Sequence, residues 1–159
     1  MTLALGIDPG TATTGYGLVR LEPGGELAVV KFGVILTPAH THDHKRLLAL
    51  YRELKELIFL HRPDLVAVEK LFFQRNISTA ITVGQARGVI LLAIAEAGLD
   101  VGEYTPNEVK QAVVGYGSAG KKQVQEMVRT LLGMTEIPKP DDAADALAVA
   151  ITHLNTTRY

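Results

Sequence analysis

The chain has 159 residues, of which 47% are hydrophobic, and this size and composition predict a single folded domain over residues 1–159. Sixteen Lys and Arg against seventeen Asp and Glu give a net charge of -1, so any nucleic-acid-binding surface has to be local. The lack of cysteine excludes disulfides, thiolate zinc sites and cysteine nucleophiles, and without a visible secretory signal we expect a cytoplasmic protein.

The first half of the chain predicts a small sheet followed by a helix. Short β-prone segments at residues 3–8, 15–21 and 27–36 are separated by Pro and Gly, and they predict three antiparallel strands. Apolar residues at helical spacing predict an amphipathic helix over residues 43–61, which ends before Pro63.

The second half predicts alternating strands and helices. A continuous apolar run at 65–68 is typical of a strand covered on both faces, and it ends at Glu69. The apolar stretch 77–97 has the length of a membrane span but contains polar residues, so we expect a buried helix and no membrane. The remaining segments predict a strand at 100–104 and helices at 106–113, 121–132 and 142–154. The whole pattern predicts an α/β fold with a mixed five-stranded sheet flanked by helices.

Four acidic residues lie at positions where α/β folds usually carry catalytic and ligand-binding groups. Asp8 and Glu69 end two predicted strands, and Asp142 and Asp145 lie three apart at the start of the last helix. Each of them alone also fits a turn, a solvated side chain or a helix cap. Their convergence favours a site for Mg²⁺, with Mn²⁺ as a substitute, because oxygen ligands without thiols suit these ions. Two such ions per site can activate water and stabilise the leaving oxygen, which predicts metal-assisted phosphodiester hydrolysis.

Several short motifs occur together along the chain. They are Gly6-Ile7-Asp8-Pro9-Gly10, Val68-Glu69 with Phe72 shortly after, Gly84-Gln85-Ala86-Arg87-Gly88, Val113-Val114-Gly115 and Asp142-Ala143-Ala144-Asp145-Ala146-Leu147. Over essentially the whole chain they resemble the RuvC Holliday-junction resolvases. The resemblance implies an RNase H-like fold of the integrase and resolvase type, a homodimer, and symmetric nicks in two opposing strands of a four-way DNA junction in recombination and repair.

The resemblance also implies roles for individual residues. The four catalytic acids of the family fall on Asp8, Glu69, Asp142 and Asp145. The neighbouring Asp141 leaves open which of the two adjacent acids binds metal, although the D-A-A-D spacing favours Asp142. A branch-migration motor complex is implied as a partner.

Basic residues around the glycine-rich loop 115–120 are candidates for phosphate binding. Lys110, Lys121, Lys122 and Arg129 form the best local basic set, and the helix start after the loop also favours anions. Solvated lysines are the alternative. The resemblance places DNA-binding lysines of the family on Lys110 and Lys121.

The connection after Glu69 carries two adjacent aromatic residues, and one of them cannot easily reach the core. An exposed ring there can stack on a base or open a junction, although both rings could also cap the core. By resemblance Phe72 is the junction-opening aromatic, Phe73 lies beside it, and Arg75 and Asn76 are close enough to contact the DNA backbone. The nearly all-round apolar helix 77–97 would leave a hydrophobic face that a twofold partner could cover.

Three alternatives remain open. The segment from Asp8 to Gly15 resembles the phosphate hairpin of sugar-kinase and actin-type ATPases, but 159 residues supply only one lobe of such enzymes. A non-enzymatic junction-binding module and another nuclease of the same fold are the other two. The histidines at 40, 42 and 44 favour a polar loop rather than a metal site.

Overall fold

The structure, a computed structural model, describes residues 1–37, 43–70 and 77–157. Within these ranges all the predicted elements occur. In chain order they are β1 (Thr2–Asp8), β2 (Thr13–Leu21), β3 (Leu27–Leu36), α1 (Asp43–His61), β4 (Leu65–Glu69), α2 (Ile77–Glu96), β5 (Val101–Tyr104), α3 (Pro106–Val113), α4 (Lys121–Leu131) and α5 (Asp141–Thr156).

The five strands form one mixed sheet in the order β3-β2-β1-β4-β5. The first three strands pair antiparallel, and β4 and β5 add to β1 in parallel. The mixed five-stranded sheet is therefore confirmed. A helix follows β4 as a crossover connection, which is how parallel neighbours are joined in α/β proteins.

Alternate side chains of the central strands serve two separate cores. On one face Leu5, Ile7 and Val66 pack with buried residues of α1 and α2. On the other face Ala4 and Ala67 pack with α3, α4 and α5. Helices thus cover both faces of the sheet, which explains the continuous apolar run of β4.

The close approach of α5 to the sheet depends on glycines in β1 and β2. A Cβ atom added at Gly6 would lie 2.1 Å from the carbonyl oxygen of Ala146, and one at Gly15 would lie 2.0 Å from that of Asp142. At Gly17 it would meet the side chain of Leu147 at 2.7 Å. The helix backbone therefore rests directly on the strands, where any larger side chain would displace it.

The prediction that the second helix is buried is wrong for most of its surface. Helix α2 is long and apolar enough to cross a membrane by length and composition, but 28% of that span is buried in the structure. One stripe, including Ala86 and Ile90, packs in the core with α1. On the rest of the helix Ile77 is 77% exposed and Leu92 is 58% exposed. Because α2 is an outer helix, it buries only the stripe that packs in the core.

Candidate active site

Two neighbouring strands carry the first two acids to one edge of the sheet. Asp8 is the last residue of β1 and Glu69 is the last residue of β4. The strands are parallel, and Ile7 pairs with Val68, so both acids follow the same pair in the ladder. Their side chains share a hydrogen bond in which the protonated Asp8 donates to Glu69.

Helix α5 brings the other two acids to the same edge. Asp142 and Asp145 lie in its first two turns, above the strand positions where glycine lets the helix approach. One carboxylate oxygen from each of Asp8, Asp142 and Asp145 lies within 4.8 Å of the other two. Together with Glu69, which is bonded to Asp8, they form what we call the acid cluster.

The acid cluster is electrostatically strained when no cation is bound. Burial raises the pKa of Asp8 to about 10, and repulsion by Glu69 and the hydrogen bond to it add to the effect. Burial also raises the pKa of Glu69, against the attraction of Lys121. The pKa of Asp145 rises to about 6, mainly through burial and then through Glu69. Buried carboxylates that are close enough to raise one another's pKa are typical of a divalent cation site, since the cation offsets their repulsion.

Asp141 lies outside the acid cluster. It is exposed and forms an ion pair with Lys121, with 3.2 Å between Nζ and Oδ2, and it accepts a hydrogen bond from Gln125 at 3.0 Å. These contacts lower its pKa, which is the opposite of the shift in Asp145. Of the two adjacent acids, Asp142 is therefore the one that faces Asp8 and Asp145.

Two of the predicted lysines line a cavity beside the acids. The cavity of about 220 Å³ is lined by the acids Glu69 and Asp145 and by the lysines Lys110 and Lys121. Lys110 is held in the short helix α3, which Thr105 caps by accepting a hydrogen bond from the backbone N–H of Glu108 at 3.1 Å. Two positive charges next to a negative cluster suit the binding of a phosphodiester.

The other two basic residues do not line this cavity. Lys122 is exposed beside Lys121 at the start of α4. Arg129 forms an ion pair with Glu126, at 3.0 Å between Nε and Oε2, and donates to the carbonyl of Met134 at 3.3 Å. The expected basic set is therefore divided, with Arg129 engaged near the end of α4.

Four predicted DNA-contacting residues fall outside the described residues. Phe72, Phe73, Arg75 and Asn76 belong to the segment 71–76. His40 and His42 lie in 38–42 and are likewise outside them. His153 is described and buried, and its Nδ1 is 2.7 Å from the hydroxyl of Tyr104. In the structure this histidine therefore contacts the last residue of β5.

Two features of the site have contacts that the sequence did not predict. The first is the set of glycines under α5, and the signal for it is glycine at two alternate positions of β2, 15 and 17. The second is Arg87, which stands in one of the sequence motifs and whose Nη1 donates a hydrogen bond to the backbone carbonyl of Glu69 at 2.7 Å. The signal for Arg87 is a charge in an otherwise apolar helix.

Known proteins are similar to this chain in sequence and in structure over almost its whole length. The family model described as "Crossover junction endodeoxyribonuclease RuvC" matches residues 4–153. A protein of that name from Syntrophomonas wolfei is 59% identical over 154 residues, which cover 97% of this chain and 89% of the relative. The solved Thermus thermophilus RuvC structure superposes with a TM-score of 0.92 at 39% identity, covering 99% of this chain and 96% of that one. The structure titled "T. thermophilus RuvC in complex with Holliday junction substrate" gives a TM-score of 0.91 at 36% identity, with the same coverage.

Proposed function

Because the chain belongs to the RuvC family of crossover junction endodeoxyribonucleases, we propose that its acid cluster is the catalytic centre with which it cuts four-way DNA junctions. The family makes the protein a nuclease that resolves Holliday junctions, and its members depend on a divalent metal. The observation that carries the proposal is the approach of three carboxylate oxygens to within 4.8 Å of one another at the ends of parallel strands. The same membership argues against the ATPase alternative.

The chemistry of the acid cluster fits Mg²⁺, and Mn²⁺ as its substitute. Its ligands are carboxylate oxygens, which hard divalent ions prefer, and its pKa values are raised first by burial and then by mutual repulsion, which a cation relieves. We propose two ions per site, held by Asp8, Glu69, Asp142 and Asp145. Bound there, the ions would supply the charge that activates water and stabilises the departing 3′ oxygen.

The residues of the chain itself would position the DNA. We propose that Lys110 and Lys121, on the wall of the cavity, bind the phosphates that flank the scissile bond, and that Lys122 binds the backbone further along. The four carboxylates would be ionised when they hold metal, and they would then fix the geometry of a hydrolysis that leaves a 5′-phosphate. The ion pair between Lys121 and the exposed Asp141 is one that a phosphate can displace, since such surface pairs are weak.

A homodimer is the second part of the proposal. Ile77, Ile81, Gly84, Gly88 and Leu92 repeat at helical spacing and share one exposed face of α2, which we call the α2 face. An exposed apolar stripe with two glycines allows close packing against a second copy of the same helix. Two acid clusters related by a twofold axis would then nick two opposing strands symmetrically.

Some expectations about the site, the partners and the location stay predictions. The junction-opening role of Phe72 and the DNA contacts of Phe73, Arg75 and Asn76 stay predictions, because these residues are outside the described ranges. A branch-migration motor complex as partner and a cytoplasmic location also stay predictions.

The test is cleavage of a synthetic immobile four-way junction in Mg²⁺ and in Mn²⁺, with linear duplex as a control substrate. We expect symmetric nicks from the native protein and none from Asp8→Asn, which should still bind the junction. Asp141→Asn is the matched control, because it removes an acid next to the acid cluster but outside it, and it should still cut. Cleavage by Asp8→Asn would contradict the assignment, and a junction bound but uncut in both metals would favour a junction-binding protein without catalysis.

A further inference from the structure

Arg87 connects three elements next to the acid cluster. It lies in α2, its Nη1 donates to the carbonyl of Glu69 at 2.7 Å, and its Nη2 donates to the carboxylate of Glu103 in β5. The Arg87 side chain is 21% exposed and its bond to the Glu69 carbonyl is partly buried, whereas the side chain of Glu103 is 37% exposed. One guanidinium group therefore ties the ends of β4 and β5 to a helix.

The bond to Glu69 lies where the pairing of β4 with β1 stops. That parallel ladder ends at the pair of Ile7 and Val68, one residue before Glu69. On the other side the pairing continues, since Glu69 pairs with Tyr104 and the N–H of Lys70 donates to the Tyr104 carbonyl at 2.7 Å. Arg87 therefore binds β4 at its last residue, Glu69. Through Glu103 it also binds β5, the strand that pairs with β4 at this end.

The position of Glu69 has to be fixed because the cluster repels itself. A ligating carboxylate must be held within about 0.5 Å of its productive place by the residues around it. Glu69 is buried beside Asp8 and is repelled by the charges of Asp142 and Asp145, and this repulsion acts against holding the end of β4 in place. The planar fork of an arginine fixes two oxygen partners in one geometry, which a lysine with a single charged nitrogen cannot do.

We propose that Arg87 is a positioning residue that sets the place of Glu69 in the acid cluster and thereby the affinity of the cluster for divalent metal. This inference deepens the proposed function and rests on Glu69 being a metal ligand. Partners that orient metal ligands from outside the coordination shell typically contribute about 10- to 100-fold to metal affinity or activity. The effect of Arg87 should fall in that range and be expressed through Glu69.

Metal binding without DNA tests the proposal directly. Calorimetric titration of Mn²⁺ and Mg²⁺ into Arg87→Met should show an affinity about tenfold or more below that of the native protein. Arg87→Lys should recover part of the loss, and Glu103→Gln should weaken binding in the same direction by less. Arg20→Met is the matched control, because Arg20 also forms an ion pair, with Glu22 at 2.6 Å, but at the far end of β2.

Cleavage provides a second measurement that separates positioning from DNA binding. We expect Arg87→Met to need about tenfold or more metal for half-maximal cleavage and to approach native cleavage when metal saturates. Its affinity for the junction in the absence of metal should be unchanged. A loss of junction affinity with unchanged metal affinity would overturn the proposal and make Arg87 a DNA contact.

A double substitution shows whether Arg87 acts through Glu69. In a Glu69→Gln background, Arg87→Met should lower metal affinity no further, and an equal further loss would overturn the proposal. Native metal affinity in a folded Arg87→Met protein would also overturn it. If Arg87→Met does not fold, the exposed partner variant Glu103→Gln decides, and native affinity there counts against the proposal. Native metal binding and cleavage by Glu69→Gln alone would instead refute the assignment of the acid cluster.

Discussion

Without metal, Asp8→Asn should stabilise the protein, and the gain should grow as the pH rises. Asp8 is 8% exposed, and its pKa is raised from 3.8 to about 10. Between these values the folded protein keeps a proton on Asp8 that the unfolded chain releases. The folded state then binds more protons than the unfolded state, so the free energy of unfolding falls as the pH rises. Asparagine has no proton to lose and removes this dependence at position 8.

The size of this stability gain follows from the pH range over which Asp8 stays protonated in the folded protein only. Each unit costs at most about 1.4 kcal/mol of stability for one group, so the ceiling between pH 5 and pH 8 is about 4 kcal/mol. Relaxation of the site and entry of water reduce the cost, and we expect a gain of about 2 kcal/mol at pH 8 relative to pH 5. For a chain of this length that is about 4 to 8 °C in Tm.

The assay is thermal unfolding in EDTA at pH 5 and pH 8. Asp141→Asn is the control, because Lys121 and Gln125 lower the pKa of Asp141 and its removal should give no gain that grows with pH. Saturating Mg²⁺ should raise the Tm of the native protein more than that of Asp8→Asn. If Asp8→Asn is no more stable than the native protein at pH 8, or if the gap is equal at both pH values, the electrostatic account of the acid cluster is wrong.

Three further predictions test other parts of the site. Gly15→Ala should reduce cleavage strongly because its Cβ would lie 2.0 Å from the carbonyl oxygen of Asp142, whereas Gly24→Ala, in open space, should cut normally; equal rates would refute this role of the close contact. Lys121→Ala should weaken junction binding and lower the slope of log affinity against log salt by about 1, measured by fluorescence anisotropy at several salt concentrations. Ile81→Glu should convert a dimer to monomers in light scattering, since Ile81 is 57% exposed on the α2 face, and a native dimer in this variant would exclude that face.

The sequence predicted those parts of the fold that depend on local signals. Pro63 and the capping Thr105 mark element ends, and α1 and α3 have the predicted bounds. Helix α5 begins one residue earlier than predicted and runs two residues further, to Thr156. Helix ends fray in this way, because the last turns depend on packing more than on the residues themselves.

The features that the sequence did not predict depend on contacts between distant segments. Composition described α2 as a buried helix, but which stripe is covered depends on where α1 and the sheet lie. Arg87 and Glu69 are 18 positions apart and lie in two elements. Their hydrogen bond depends on how the crossover helix α2 packs beside the end of β4, which no local sequence signal shows. The acids were predictable because each stands at the end of an element, and parallel pairing brings strand ends together.

The rigidity of α5 explains how the protein tolerates an acid cluster that opposes its own folding. From Ala146 to Leu154 the helix is buried throughout, and its backbone rests on Gly6 and Gly17. A helix held by close-packed backbone and small side chains has little room to shift, so repulsion at its N-terminal end cannot simply push Asp142 and Asp145 away. The stability lost at the acid cluster is recovered in the core beneath the same helix. Substitutions in that core should therefore alter metal affinity as well as stability.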